Sequence, residues 1–178
     1  MKRTNPPADE SPPQSRSPGA PVHARLAREE DIPALVPLIV RLKRLNEEFD
    51  PMLKVRPDAE TQAETMLKAE IKSPKSLVIA AEGTGPDKDK VVGVVRAAIR
   101  ERLFYVPETE GVIVDIYLLP LYRRHGAGRY LVEQTIALLK ERGAGIVTVE
   151  FPAQNEIASR FYAKVGFRPI TAHDARIL

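Results

Sequence analysis

Residues 118–128 read Leu118-Leu119-Pro120-Leu121-Tyr122-Arg123-Arg124-His125-Gly126-Ala127-Gly128 and join an apolar strand to an amphipathic helix. Gly126 and Gly128 carry no Cβ, so the backbone between them can approach an anion closely. The first turn of the helix that follows offers N–H groups without an intrahelical acceptor, and its dipole favours negative charge there. Arg123, Arg124 and Arg129 add full positive charges beside the turn. The segment predicts a phosphate cradle, suited to the pyrophosphate of a coenzyme.

Other readings of the turn compete. It could be an ordinary strand-to-helix connection with solvated arginines. A dinucleotide site is weaker, because Gly126-Ala127-Gly128 is followed by Arg129-Tyr130-Leu131 and lacks the third glycine. Glu150 does sit at a suitable distance for a ribose-binding acid, but no repeated βαβ halves surround it. The ATP-binding pattern G-x-x-x-x-G-K-[ST] does not occur.

A second segment decides between them. Asn155-Glu156-Ile157-Ala158-Ser159-Arg160-Phe161-Tyr162-Ala163-Lys164-Val165-Gly166-Phe167 opens on a capping residue and closes on Gly-Phe. Together with Arg123-x-x-Gly126-x-Gly128 upstream, it resembles the GCN5-related N-acetyltransferase (GNAT) family. In that family the turn after the fourth strand binds acetyl-coenzyme A. A segment of the form Asn-(five residues)-Phe/Tyr-Tyr-(three)-Gly-Phe/Ala follows the fifth strand. Asn155 and Tyr162 have the same offset here. The resemblance covers roughly residues 22–178, and residues 110–170 carry its specific motifs.

Composition sets the outer bounds. At 178 residues and 43% hydrophobic content, the chain can bury one good core. Residues 1–21 hold Pro6, Pro7, Pro12, Pro13, Pro18 and Pro21 among serines and mixed charges, and are expected to form a disordered tail. The tail has no apolar run, so no secretory signal is expected; no stretch approaches the length of a membrane span, and the cytoplasm is the expected compartment. The net charge of +3 is too small to imply nucleic acid without a patch, although the pI is near 9.2. There is no cysteine, which excludes disulfides, cysteine-based zinc sites and a thiol nucleophile. His23, His125 and His173 show no metal-ligand spacing, and no metal is expected.

Periodicity predicts the element order β-α-α-β-β-β-α-β-α-β, a mixed and mostly antiparallel α/β sheet with flanking helices. The strands are expected over 22–28, 77–81, 91–101, 112–119 and 146–151, with a last one from about Phe167. Asp31 or a neighbour is expected to cap a helix that carries Ile32, Leu35, Ile39, Leu42, Leu45 and Phe49 on its apolar face, with a kink expected at Pro37. A second spans 58–72, a third 126–142 with Leu131, Val132, Thr135, Ile136, Leu138 and Leu139 inward, and a fourth follows Asn155. The strand from 112 is apolar except for Asp115 and the Tyr117 hydroxyl, so it should be central. The family ends in a two-stranded hairpin, whereas eleven residues follow Phe167 here. A shortened terminal strand, or a sheet edge completed by a second copy in a homodimer, is therefore expected.

The resemblance assigns roles to the matching positions. Backbone groups of His125, Gly126, Ala127, Gly128 and Arg129 would face the pyrophosphate, with Arg123 and Arg124 neutralising it. Tyr117, Leu118 and Leu119 would run beside the pantetheine arm, with the Leu118 N–H donating to the thioester carbonyl. Asn155 and Ala158 would meet the arm from the other side. Tyr162 is the expected acid for the leaving thiolate; its alternative is a core tyrosine beside Phe161. Asp115 is the expected base, acting directly or through water, or else a structural carboxylate paired with backbone or an arginine. Phe49, Asp50 and Met52, or Phe104, Tyr105, Glu108 and Glu110, lie where the family puts its substrate loops.

The implied activity is acetyl transfer from acetyl-CoA to a primary amine, by direct attack in a ternary complex. The acceptor, a small molecule or a protein, stays open. The competing class is a non-catalytic acetyl-CoA-binding sensor or interaction module. No membrane or nucleic-acid partner is expected.

Overall fold

The computed structural model describes residues 21–123 and 125–177. Arg124 and all but the last residue of the Pro-rich tail lie outside the described residues. Five strands form one sheet in sequence order: β1 (Val22–Leu26), β2 (Ser76–Gly83), β3 (Val91–Glu101), β4 (Thr109–Leu118) and β5 (Ile146–Val149). The first three pairings are antiparallel and β4–β5 is parallel. Helices α1 (Ile32–Glu47) and α2 (Ala59–Lys72) cover one face; α3 (Ala127–Glu141) and α4 (Glu156–Lys164) cover the other.

The two faces follow from strand alternation. On β2 and β3, Val78, Ala80 and Val94 pack against Leu35, Ile39 and Leu67 of α1 and α2. Leu77, Ile79, Val95 and Ala97 point the other way, against Leu131, Val132 and Leu139 of α3. Each such buried Val, Leu or Ile side chain contributes about 1.5–3 kcal/mol relative to exposure. In α3 the residues 127, 131, 132, 135 and 139 are buried, and the Thr135 hydroxyl donates to the Leu131 carbonyl.

One local expectation needs revision. The carboxylate of Asp31 does not cap α1. It accepts instead from the Arg28 N–H at 2.7 Å and from both Arg25 Nη atoms, while Arg25 Nε reaches Glu82 on β2. α1 continues through Pro37, where only the bond to the Pro33 carbonyl is forgone, and Leu38, Ile39 and Val40 just beyond are buried.

The strand expected from Phe167 is absent among the described residues. Gly166 at φ 94° turns the chain out of α4, with the Phe167 N–H closing back on the Tyr162 carbonyl. Pro169 has no N–H to give a ladder, and residues 168–177 are exposed.

Candidate active site

The site begins with a defect in pairing. β4 and β5 are joined only from Glu110↔Ile146 to Ile113↔Val149, and the Glu150 N–H makes a last bond to the Ile113 carbonyl. Opposite β3, the register steps from Arg96↔Asp115 to Ala97↔Ile113, so Val114 is the extra residue of a β-bulge. From Asp115 onward β4 stays paired with β3 while β5 has departed. The Leu119 N–H donates to the Val92 carbonyl. Alternation then turns the Ile116 and Leu118 N–H groups away from β3, toward the side that β5 has left.

The Leu118 carbonyl on that edge accepts from Arg123 Nε at 2.9 Å. The guanidinium carbon of Arg123 lies 5.2 Å from the centre of the Tyr117 ring. Arg123 thus braces the strand end it follows. Tyr117 itself packs into the α1/α2 core, and its buried hydroxyl has no partner among the described residues. Only the Tyr117 backbone borders the cleft face of α3 and α4.

The turn after β4 delivers the helix terminus. His125 (φ 56°) and Gly126 (φ 75°) both adopt left-handed backbone, and α3 starts at Ala127. The first helical bond runs from the Tyr130 N–H to the Gly126 carbonyl, and no side chain caps the terminus. The N–H groups of Ala127, Gly128 and Arg129 therefore lack intrahelical acceptors at the positive end of the dipole. A Cβ placed on Gly126 would meet no protein atom within 4 Å; one on Gly128 would lie 3.5 Å from the Phe161 ring of α4. The Arg129 side chain turns to Glu133 in an exposed pair of little energetic weight.

α4 closes the other wall. Asn155 Oδ1 accepts from the Ala158 N–H at 3.0 Å, which caps the helix and leaves the amide NH₂ uncommitted by the cap. Tyr162 is 4% exposed and joins the same packed cluster as Leu118 and Ala127. Its ring stacks on Phe151 at 5.3 Å and meets Phe161 and Phe167 edge-on. Burial pushes the Tyr162 phenol well above its ordinary range, and the Asp115 carboxylate pushes it further.

Asp115 stands on the α1/α2 face of the opened strand, 1% exposed in its side chain. Oδ1 accepts from Lys43 Nζ of α1 at 2.5 Å and Oδ2 from Arg96 Nη1. Arg96 in turn grips Glu70 of α2 with Nε and Nη2, at 2.8 and 2.6 Å. Burial works against the Arg96 charge, but the carboxylates of Glu70 and Asp115 more than offset it. Sequence reasoning missed Lys43, Glu70 and Arg96. The signal for Arg96 was present: it is the one charge in the apolar run from Val91 to Ile99.

Leu118, Ala127 and Tyr162 share one packed cluster, Gly128 faces the Phe161 ring of α4 and Asn155 caps that helix, beside the opening where β4 and β5 part. Phe104, Tyr105 and Glu108 do not join them. They lie on the β3–β4 connection, at the start of β4, roughly 30 Å along that ten-residue strand from Leu118. Two shallow grooves, one at Ile71–Pro74 and Arg142 and one along β5 and Val165–Phe167, also lie outside the opening. No group of three or more metal-ligating side chains occurs among the described residues. No helix among the described residues is long and apolar enough to cross a membrane.

Similarity to known proteins agrees with this geometry. Over 62 residues the chain is 36% identical to the [ribosomal protein bS18]-alanine N-acetyltransferase of Escherichia coli strain K12, a match covering 35% of this chain and 42% of the relative. The fold is shared with the aminoglycoside N-acetyltransferase AAC(6')-Iy in complex with CoA, with a TM-score of 0.69 at 14% identity over 90% of this chain and 96% of that one. It is also shared with a predicted acetyltransferase from Clostridium acetobutylicum solved with acetyl-CoA, at a TM-score of 0.68, 16% identity, and coverage of 88% and 96%. The model of the acetyltransferase (GNAT) family matches residues 41–167, and the chain belongs to that family.

Proposed function

We propose that the protein transfers an acetyl group from acetyl-CoA to a primary amine by direct attack in a ternary complex. The observation that carries this reading is the unpaired edge of β4 at Ile116 and Leu118, opening beside the uncapped N-terminus of α3. The pantetheine arm would add to that edge as a short strand. The N–H groups of Ala127, Gly128 and Arg129, with His125, Gly126, Arg123 and Arg124 around them, would hold the pyrophosphate. The Leu118 N–H would meet the oxyanion that develops on the thioester. Asn155 would add its free amide hydrogens to the arm beside Ala158.

An alkyl ammonium is neutral in fewer than about one molecule in a thousand at pH 7, so a proton acceptor is needed. Asp115 takes that role. Tyr162, kept protonated by its surroundings, gives its proton to the leaving sulfur. With no cysteine in the chain, a covalent acyl-enzyme on a thiol is excluded. The acceptor is an amine of a small molecule or of a protein; the bS18 enzyme and the aminoglycoside enzyme are named for one of each.

The test is thiol release from acetyl-CoA against amine pools and peptide libraries. Turnover with intersecting initial-rate lines supports direct transfer, and parallel lines overturn it. Coenzyme binding without turnover across the whole set supports a sensor instead.

A further inference from the structure

The cluster Lys43–Asp115–Arg96–Glu70 holds two cations and two carboxylates and is neutral as a unit. Its members are held unequally. Arg96 is fixed by three donors, two on Glu70 and one on Asp115. Lys43 makes one contact, from Nζ to Asp115 Oδ1, on a flexible stem that is 38% exposed. A carboxylate this buried is costly with an empty oxygen, so Oδ1 needs a cation. Nothing requires that the cation be Lys43. Asp115 lies just past the last β4–β5 bond, on the face opposite the helix terminus of α3, and its charge reaches Tyr162.

Resting on the acetyl-transfer reading above, we infer that Lys43 is a placeholder whose ammonium fills, in the free protein, the seat on Asp115 Oδ1 that the acceptor's primary ammonium takes during turnover. Exchanging one ammonium for another leaves the cluster neutral and Asp115 paired. The acceptor this seat selects is an unhindered primary alkylamine on an extended stem, like a lysine side chain. Once seated, the ammonium passes one proton to Oδ1. The nitrogen then attacks the thioester carbonyl carbon; the C–N bond forms, the C–S bond breaks, and its electron pair leaves on sulfur. Tyr162 protonates that sulfur and recovers a proton from the new amide nitrogen. The proton on Oδ1 passes to solvent as Lys43 returns.

The probe is n-butylamine, which matches the lysine stem, supplied to the full-length Lys43→Ala protein with acetyl-CoA. We expect N-butylacetamide, detected by mass spectrometry, at least tenfold faster than with the unaltered protein and saturating in amine. The KM for acetyl-CoA should stay within twofold, and adding Asp115→Asn should abolish the gain. n-Butylammonium, unlike tetramethylammonium, should also raise the melting temperature of Lys43→Ala. Stabilisation without product overturns the inference, as does equal turnover with and without Asp115→Asn. Should Lys43→Ala fold poorly, Lys43→Arg supplies the test: a cation gripping Oδ1 more firmly should raise the KM for n-butylamine and leave that for acetyl-CoA alone, and an unchanged amine KM overturns the idea. If acetyl-CoA fails to stabilise even the unaltered protein, the acetyl-transfer reading itself has failed.

Discussion

Gly126 joins two demands at one residue: left-handed backbone at φ 75° and open space where a Cβ would stand. A side chain there costs about 1–2 kcal/mol in strain and points into the room a ligand phosphate needs. Gly126→Val should lower the melting temperature modestly and lose the further rise that acetyl-CoA gives. Gly126→Asn, which tolerates this backbone, should recover the first effect and not the second. Tyr162→Phe isolates another atom. Its ring contacts survive, so stability should change little, whereas kcat should fall by about 10²-fold with acetyl-CoA affinity unchanged. The raised phenol also has a linkage consequence. In the unfolded chain Tyr162 ionises near pH 10 and in the folded one only at higher pH, so its contribution to stability is present below about pH 10 and fades above it. Denaturant titrations between pH 9 and 11 should show that slope in the unaltered protein and a shallower one in Tyr162→Phe. Gly126, Asn155 and Tyr162 were legible because each belongs to a short pattern read along the chain. Lys43, Glu70 and Arg96 were not, because their partners lie 72, 26 and 19 positions away and no local period records them.

Between elements, Arg25 of β1 ties β2 to the entry of α1 by bridging Glu82 and Asp31. The Arg25 guanidinium holds the Asp31 carboxyl below the usual carboxylate range, helped by the Arg28 N–H and opposed by burial. A depressed carboxylate stabilises above its unfolded pKa of about 4 and loses that contribution as pH falls further. Asp31→Asn should therefore cost about 1.5–3 kcal/mol at pH 7 and flatten the acid limb of the stability profile, measured by urea unfolding from pH 2 to 7. Alternation and helical spacing disclosed nine of the ten expected elements, because apolar residues recur at the periods those elements impose. The tenth failed on Pro169 and on a tail without a buried face. α1 runs on through Pro37, with buried residues on both sides of it.

For the whole molecule, the coenzyme is expected to act as a clamp between the two halves of the α3/α4 face. Acetyl-CoA at a hundred times its dissociation constant should add about 2.7 kcal/mol to stability, read as a rise in melting temperature that grows with concentration. High salt should shrink the rise, since the grip on phosphate is partly electrostatic. Desulfo-CoA should give most of the same rise, because it keeps the diphosphate. A concentration series that leaves the melting curve fixed would set aside the coenzyme assignment for this chain.

The extra residue at Val114 sets a phase for everything after it. Side chains and amides swap sides with each step along a strand, so one surplus position reverses the parity of Asp115 through Leu118 relative to the half of β4 before it. What matters at 114 is arithmetic, not chemistry. Ala, Thr or Ile should serve there equally well, whereas inserting a second residue beside it should rotate the carboxylate onto the coenzyme's face and bury the Leu118 amide inside the sheet. Catalysis would vanish from a protein still able to fold.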